Sequence, residues 1–410
     1  MSDRFDGSIL VPDPVGRGRI LDWLDVGLAA VDPEPLTRRA LVSRAGERAI
    51  VIAIGKAAAA MARGAADVLD VVGGVCVSDH VEETTSRIPF LVGDHPVPGP
   101  GSLSAGVAVL ESVRSAPSGT PIIALVSGGG STVCEMPREG VTLEYLAGVN
   151  RRLIMAGATI EEINLVRAHL SAIKGGGLSR AAGRPIDTFV VSDVGAADPG
   201  VVASGPTIPG AQNPEAAITI MTKAGIEVPP EVRRAMSAPS TWLPRPIVTL
   251  IADGFDAARA IAGVAPPPVV VRSGWLEGDL ESCLDSFIST AEPGVTIGVG
   301  ETVLEVGGDG RGGRSTHAAL LAAIRLEGTT SVFTAFATDG VDGSSRSAGA
   351  IADGGTISRG GDPGRARAGF DSAGYLEATS DLLKCAATGT NVSDIWILWR
   401  PEDGPDRRVA

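Results

Sequence analysis

The run from Pro121 to Val126 is apolar throughout and stops abruptly at Ser127-Gly128-Gly129-Gly130-Ser131. A strand without polar alternation is buried on both faces, as strands are in parallel sheets covered by helices. The same unit, a short apolar run followed by a helix-length segment, recurs along the 410 residues. It predicts strands at 49–54, 74–77, 121–126 and 187–191. After a polar, Pro-rich stretch at 228–246, further strands are expected at 247–251, 269–272, 295–299, 302–306, 332–337 and 395–399. Helices are expected at 17–42, 56–70, 101–114, 143–157, 160–173, 255–263, 279–290 and 313–326. Residues 354–369, rich in glycine and charge, read as a mobile loop, either a lid or a plain surface excursion. The fold class is therefore α/β, with two α/β/α domains built on mostly parallel sheets. The expected domains are a Rossmann-like one at residues 1–245 and a second at 246–410, since the chain exceeds the size of one hydrophobic core. Composition agrees: 44% of residues are hydrophobic but only 4% aromatic, so Ala, Val, Leu and Ile fill the interior.

Charge and cysteines narrow the partners. A formal net charge of -13 sets the surface field against nucleic acid and anionic membranes, so a small anion must be met by local cations. No apolar run reaches the roughly 18 residues of a membrane span. Cys76, Cys134, Cys283 and Cys385 are widely spaced without a CxxC pair, and the first residues show no secretory pattern. A cytoplasmic chain with reduced thiols is the expectation. His80, His95, His169 and His317 are too dispersed to suggest a zinc site by spacing.

Four glycine junctions carry the functional signal: Gly55-Lys56, Ser127 to Ser131, Lys174 to Gly177, and Gly307 to Arg314. Glycines after a strand turn consecutive amides into one concavity, serines add hydroxyl donors, and the next helix brings its positive N-terminus. That chemistry selects a phosphate, although each cluster taken alone is also an ordinary βα turn. Only Lys56, Lys174, Lys223 and Lys384 are lysines among 35 basic residues, and two of the four abut glycine loops. A lysine in the first turn of a helix opposes the helix dipole unless an anion sits there.

Other residues group around these loops. On one helix Asn164, Arg167, Ser171 and Lys174 recur at i, i+3, i+7 and i+10, forming a polar stripe without an acid to neutralise it. It is either a solvated face or a ligand face. Asp193 follows an apolar run, where it can hold magnesium, accept a proton or simply cap a turn; Asp198 follows in an acidic loop. Asp339 and Asp342 repeat the pattern on a glycine turn. Gly308 to Ser315 fits both GxGxxG and a P-loop string with Arg314 in place of lysine, two weak matches whose shared content is an anion site at a helix start.

Together these motifs resemble the class II glycerate kinases, whose C-terminal half is the MOFRL domain. The resemblance runs from about residue 48 to 398 and rests on nine segments in order. They are 53–58, 94–98, 127–131, 163–176, 192–207, Gly300-Glu301-Thr302, Gly312-Gly313-Arg314, 338–343 and 388–392 with Asn391. It implies ATP-dependent phosphorylation of D-glycerate to 2-phosphoglycerate with magnesium, in an active-site cleft between the two domains. It carries the family's key lysine and arginine onto Lys56 and Arg314, with Asp193 beside them as a catalytic candidate. Ser127, Gly128, Gly129, Gly130, Ser131, Asn164, Arg167, Lys174, Glu301, Asp339 and Asn391 are then the expected substrate and phosphate ligands. Asp193, with Asp198 second, is the metal candidate. The implied partners are a sugar acid and a nucleotide, and a homodimer is left open. Ser315-Thr316-His317 departs from the family's Asn-Gln-Glu, which puts the identity of the acid in question, and Gly195-Ala196-Ala197 stands where an acidic pair is usual. The competing readings are an NAD(P)-dependent hydroxypyruvate reductase and a non-catalytic binder of phosphorylated metabolites. The only GxGxxG lies late in the chain and lacks a suitably spaced acid for a ribose, which disfavours the reductase.

Overall fold

The structure, a computed structural model, describes residues 5, 16–82, 84–85, 87–195, 199–238 and 243–401. The first sheet holds β1 (Arg48–Ile54), β2 (Asp70–Ser78), β3 (Phe90–Val92), β4 (Ile122–Ser127), β5 (Asp187–Val191) and β6 (Val248–Ala252), in the order β3-β2-β1-β4-β5-β6. Every pairing in it is parallel. The continuous apolar runs explain this: β4 is buried along its whole length and β1 at all but its first residue. The winding reverses direction between β1 and β4, and sheets of this kind bind ligands beyond the carboxyl ends of the strands at such a reversal.

The second sheet contains β7 (Val269–Leu276), β8 (Gly294–Gly300), β9 (Val332–Ala337), β10 (Gly349–Asp353), β11 (Leu382–Leu383) and β12 (Asp394–Arg400), in the order β11-β10-β9-β12-β8-β7. Here the expectation of a mostly parallel sheet needs correction. Only β7 and β8 pair in parallel, and the other four pairings are antiparallel. Residues 338–348, between β9 and β10, contain no helix to carry a parallel crossover, and β12 returns between β9 and β8. Both faces are covered, so the α/β/α layering holds. Phe333, Ala335, Trp396 and Leu398 pack with Phe287 and with the helix Arg314–Arg325. On the other face Trp399 meets Trp23 of the helix Arg17–Ala30, with ring centroids 5.3 Å apart.

The chain divides into two compact units, Pro33–Ser192 with Ala197–Ala252, and Met1–Asp32 with Asp193–Ala196 and Asp253–Ala410. A single cut at 245 therefore fails at both ends. The run at 247–251 is the sixth strand of the first sheet, because it pairs with β5. The helix expected at 17–42 breaks into Arg17–Ala30 and Pro33–Leu41. Proline suits the first turn of a helix and keeps the preceding residue out of helical conformation. The first piece belongs to the unit of the second sheet, where Gly27 lies so close to Ile261 that a Cβ would sit 2.8 Å from its Cδ1.

Two smaller expectations also change. The strand at 302–306 is reduced to an isolated bridge between Val303 and Asp279. The segment expected to be mobile folds into the helices Thr356–Gly360 and Gly364–Ala368, with Arg359 donating to Asp353 at 3.0 Å and to Asp381 at 2.8 Å. All four cysteines are free. Among the described residues no helix is long and apolar enough to cross a membrane.

Candidate active site

In the unit of the first sheet, two of the four glycine junctions meet at the carboxyl ends of β1 and β4, and a third is linked to them through residues 203–206. Gly55, at φ +120°, ends β1 so close to β4 that a Cβ would lie 2.4 Å from the Ser127 carbonyl oxygen; only glycine permits that approach. The two loops then bind each other: Lys56 N donates to Gly128 O at 2.9 Å, and Ala57 N to Ser127 Oγ at 3.0 Å. The Lys56 side chain runs over Gly129, where a Cβ would meet its Cγ at 3.0 Å. Next to it Gly130 and Ser131 open the helical turn Gly130–Val133, and the first amides of a helix have no acceptor within it.

The third junction closes the corner from the side. Gly175 N, Gly176 N and Leu178 N donate to the carbonyls of Ser204, Gly205 and Pro206 at 3.0, 2.8 and 2.9 Å. Ala203 and Ser204 are held at φ 53° and 60°, a left-handed conformation that costs a non-glycine residue about 1–3 kcal/mol and that clusters at functional sites. Ser204 Oγ donates to Asn164 Oδ1 at 2.8 Å, and Ala203 presses on Gly130. Asp79, just beyond β2, is a residue that sequence reasoning missed. Burial pushes its pKa up, but the hydrogen bond with His80 at 2.7 Å and the nearby charges of Lys56 and His95 outweigh this and hold it low. Its sequence signal is the one that marks Asp193, an acid at the end of an apolar run.

The polar stripe is only half right. The helix Ile160–Leu170 ends before Ser171, which is extended at φ -102° and ψ 141°, so Asn164 and Arg167 share a helix that Ser171 and Lys174 do not. Lys174 is buried and its ammonium is bound by the equally buried Glu135, which also accepts from Ser171 Oγ at 2.5 Å. The anion that balances Lys174 is internal, which removes it from the ligand-facing set. Burial lowers the pKa of Lys174 and Glu135 opposes that shift. Arg167 is partly buried, with Nε donating to Asn150 Oδ1 at 3.0 Å, and burial lowers its pKa.

In the unit of the second sheet the fourth glycine junction behaves differently. Asp342 accepts from the amides of Ser315 and Thr316 at 2.9 and 2.8 Å, so the start of the helix Arg314–Arg325 already holds an anion of the protein. A Cβ at Gly313 would lie 2.2 Å from Asp342 Oδ1. The loop expected to cradle phosphate is filled from within, with Gly308, Gly310 and Gly312 against Gly369 to Ser372. The Arg314 side chain remains one-third exposed and binds Glu301 through Nη1 and Asp394 Oδ2 through Nε, the latter at 3.2 Å. Burial pushes Asp394 up to about 7; Arg314 opposes this, while Glu301, Asp342 and Asp339 add to it. For Arg314, burial lowers the pKa but Asp394 and Glu301 more than compensate and raise it. Sequence alone assigns neither Asp342 nor Asp394 these roles, because only the fold brings them to the helix start. Ser315, Thr316 and His317 are buried, His317 stacking on Phe370 with centroids 5.2 Å apart, so the departure from Asn-Gln-Glu is absorbed inside this unit.

Asp193 lies in this same unit. Its carboxylate accepts from Asn391 Nδ2 at 3.3 Å, and its carbonyl from Ser393 Oγ at 2.5 Å. Asp339 closes a turn by accepting from Val341 N at 2.9 Å. Asp198 lies outside the described residues. Among the described residues no group of three or more His, Cys, Asp or Glu side chains is arranged to hold a metal ion.

Comparison with known proteins follows the same two-part layout. Residues 19–237 match the domain of unknown function DUF4147, and residues 294–394 match the MOFRL family. A D-glycerate 2-kinase of Thermotoga maritima is 34% identical over 396 residues, covering 90% of this chain and 95% of that protein. A protein of Agrobacterium vitis with the provisional name hydroxypyruvate reductase is 33% identical, covering 90% of this chain and 91% of its own. The crystal structure of the Thermotoga maritima glycerate kinase superposes with a TM-score of 0.82 at 32% identity, covering 93% of this chain and 98% of that one. The order of motifs, the two sheets and these relatives agree: the chain belongs to the class II glycerate kinase family, in which a DUF4147 domain precedes a MOFRL domain.

Proposed function

We propose that the chain is an ATP-dependent kinase that phosphorylates D-glycerate at its 2-hydroxyl to give 2-phosphoglycerate, with magnesium as cofactor. The observation that carries this reading is the corner at the ends of β1 and β4, where Lys56 lies along the triple-glycine loop. That corner suits phosphoryl oxygens: it offers an ammonium, serine hydroxyls and the first amides of a helical turn, at the reversal point of a wound sheet. Kinase relatives that cover most of the chain support the reaction class, with a nucleotide and a small molecule as substrates.

Phosphoryl transfer needs positioning and charge stabilisation more than covalent chemistry. ATP, when bound, supplies the γ-phosphoryl group, and magnesium offsets part of its charge. Lys56 and the amides of 128–131 bind phosphoryl oxygens. Arg314 or Arg167 takes the carboxylate of the hydroxy acid. Asp193, braced by Asn391, fits a metal that takes one or two carboxylates and fills its shell with phosphate oxygens and water, and equally fits orienting the substrate hydroxyl.

The reductase reading would place a dinucleotide on the GxGxxG loop. Protein atoms already fill that loop, and Asp342 holds the amides of its helix. The test is a paired assay of ADP release and NAD(P)H oxidation with D-glycerate and hydroxypyruvate. The expected result is ADP release that depends on D-glycerate; nicotinamide turnover without ATP consumption sinks the kinase reading.

A further inference from the structure

Arg314 is held by two carboxylates in very different surroundings. Asp394 opens β12, where it pairs with Gly300 and Ala337 of the flanking strands, and its side chain is 6% exposed. Glu301 follows directly on β8; its backbone is tied down by a 2.7 Å hydrogen bond from its amide to Leu276 O, yet its side chain is 49% exposed. The two grips fall on different parts of the guanidinium, Asp394 on Nε and Glu301 on the outward Nη1. Asp342 holds the amides of Ser315 and Thr316 and adds to the field at Arg314 through its charge.

A buried carboxylate on a central strand cannot leave without stranding a charge, whereas an exposed ion pair exchanges readily with solutes. Glu301 also presents to Arg314 the same chemical group that a hydroxy acid would bring. We propose that Glu301 is a displaceable stand-in for the substrate carboxylate on Arg314, and that Asp394 is the positioning residue that keeps the guanidinium aimed while the exchange takes place. This rests on the kinase reading for the identity of the acid. On binding, one carboxylate replaces another at Nη1, so the charge around Arg314 is unchanged, and Glu301 swings into water. Selectivity follows: a substrate analogue lacking the carboxylate cannot displace Glu301.

The test is D-glycerate binding by isothermal titration to the full chain carrying Glu301→Gln or Asp394→Asn, each alone and together with Arg314→Ala. Glu301→Gln should tighten D-glycerate by about 2-fold to 5-fold, the range that an exposed ion pair is worth. At pH 8, where the Asp394 carboxyl is ionised, Asp394→Asn should weaken it by about 10-fold or more, as loss of one partner from a buried pair does. Both effects should vanish in the Arg314→Ala background. The control matters because the chain carries a net charge of -13, so removing any acid helps an anion somewhat. Tightening that persists without Arg314 is that general field and overturns the stand-in, as does weaker binding in Glu301→Gln. Should Asp394→Asn fail to fold, the Glu301 arm decides alone. Tightening by Glu301→Gln without any ADP release would keep the stand-in and reject the kinase, whereas no binding of D-glycerate to Glu301→Gln counts against both.

Discussion

The Lys56 corner and the Arg314 cluster begin from the same sequence signal, glycines leading into a helix with a cation attached, and are built differently. At Lys56 the glycines let two loops of one parallel sheet touch, and the helical turn at Gly130 is left with its first amides outside the helix ladder. At Arg314 the helix amides are taken by Asp342, and the arginine itself is held by Glu301 and Asp394. A glycine-rich helix start therefore announces an anion without saying whose it is. At Arg314 the protein supplies the anion itself; at Lys56, where Asp79 lies nearby, the proposed anion is a phosphoryl group.

Lys174 gives the sharpest way to break this contrast, since its partner is internal although it belongs to the Lys56 unit. Lys174→Ala leaves Glu135 charged and buried, so a loss of about 3–5 kcal/mol in unfolding free energy is expected. The double change Lys174→Met with Glu135→Leu should recover most of it. Chemical denaturation of both checks this; an unaffected midpoint in the single variant would return Lys174 to the ligand-facing set.

Next come the cations that are proposed to meet substrate. Lys56→Ala and Arg314→Ala should each lower kcat/KM by about 3 kcal/mol or more, with Arg314→Lys restoring only part because a point charge cannot replace a planar fork. Near-normal turnover in both alanine variants would leave the glycine clusters as turns.

A smaller effect separates the buried acids. Asp394 sits at about 7 rather than near 3.8, so between these values the folded chain holds a proton that the unfolded chain has released. Stability from this group is present at the acid end and is lost as pH rises towards 7. Asp394→Asn should flatten that part of the Tm-against-pH curve, measured by calorimetry; an identical slope would mean that the carboxyl stays ionised on Arg314 throughout. Asp193→Asn should have the mildest structural effect, leaving Tm nearly unchanged while raising the magnesium concentration for half-maximal rate. Lost activity at unchanged magnesium dependence would instead assign Asp193 to the substrate hydroxyl.

Much of this is legible in the chain because local physics sets it. The runs of β1, β4, β9 and β12 are rich in β-branched or aromatic residues and almost wholly apolar, so burial on both faces follows from composition alone. β10, with the sequence Gly-Ala-Ile-Ala-Asp, carries no such signature, and its place depends on pairing with β9. The site divides in the same way. Lys56 and the triple glycine are adjacent to strand ends and stand out in the sequence, whereas Glu135 lies 39 residues from Lys174, a separation that no periodicity spans. Asp342 is visible as an acid on a turn, but only the fold shows that it faces a helix start.

The helix Arg17–Ala30 ties the beginning of the chain to its end. Arg17 donates to Asp353, 336 residues later, and Trp23 packs on Trp399. On the ribosome the unit of the first sheet has all its residues by Ala252, while this opening helix must wait for the helix Gly254–Ala262, whose Ile261 meets Gly27, and then for Trp399. At about 5–20 residues per second it waits some tens of seconds with Ile20, Leu24 and Leu28 uncovered. The MOFRL half expressed alone would lack one of its own walls, so isolating it in folded form requires residues 16–32 grafted back.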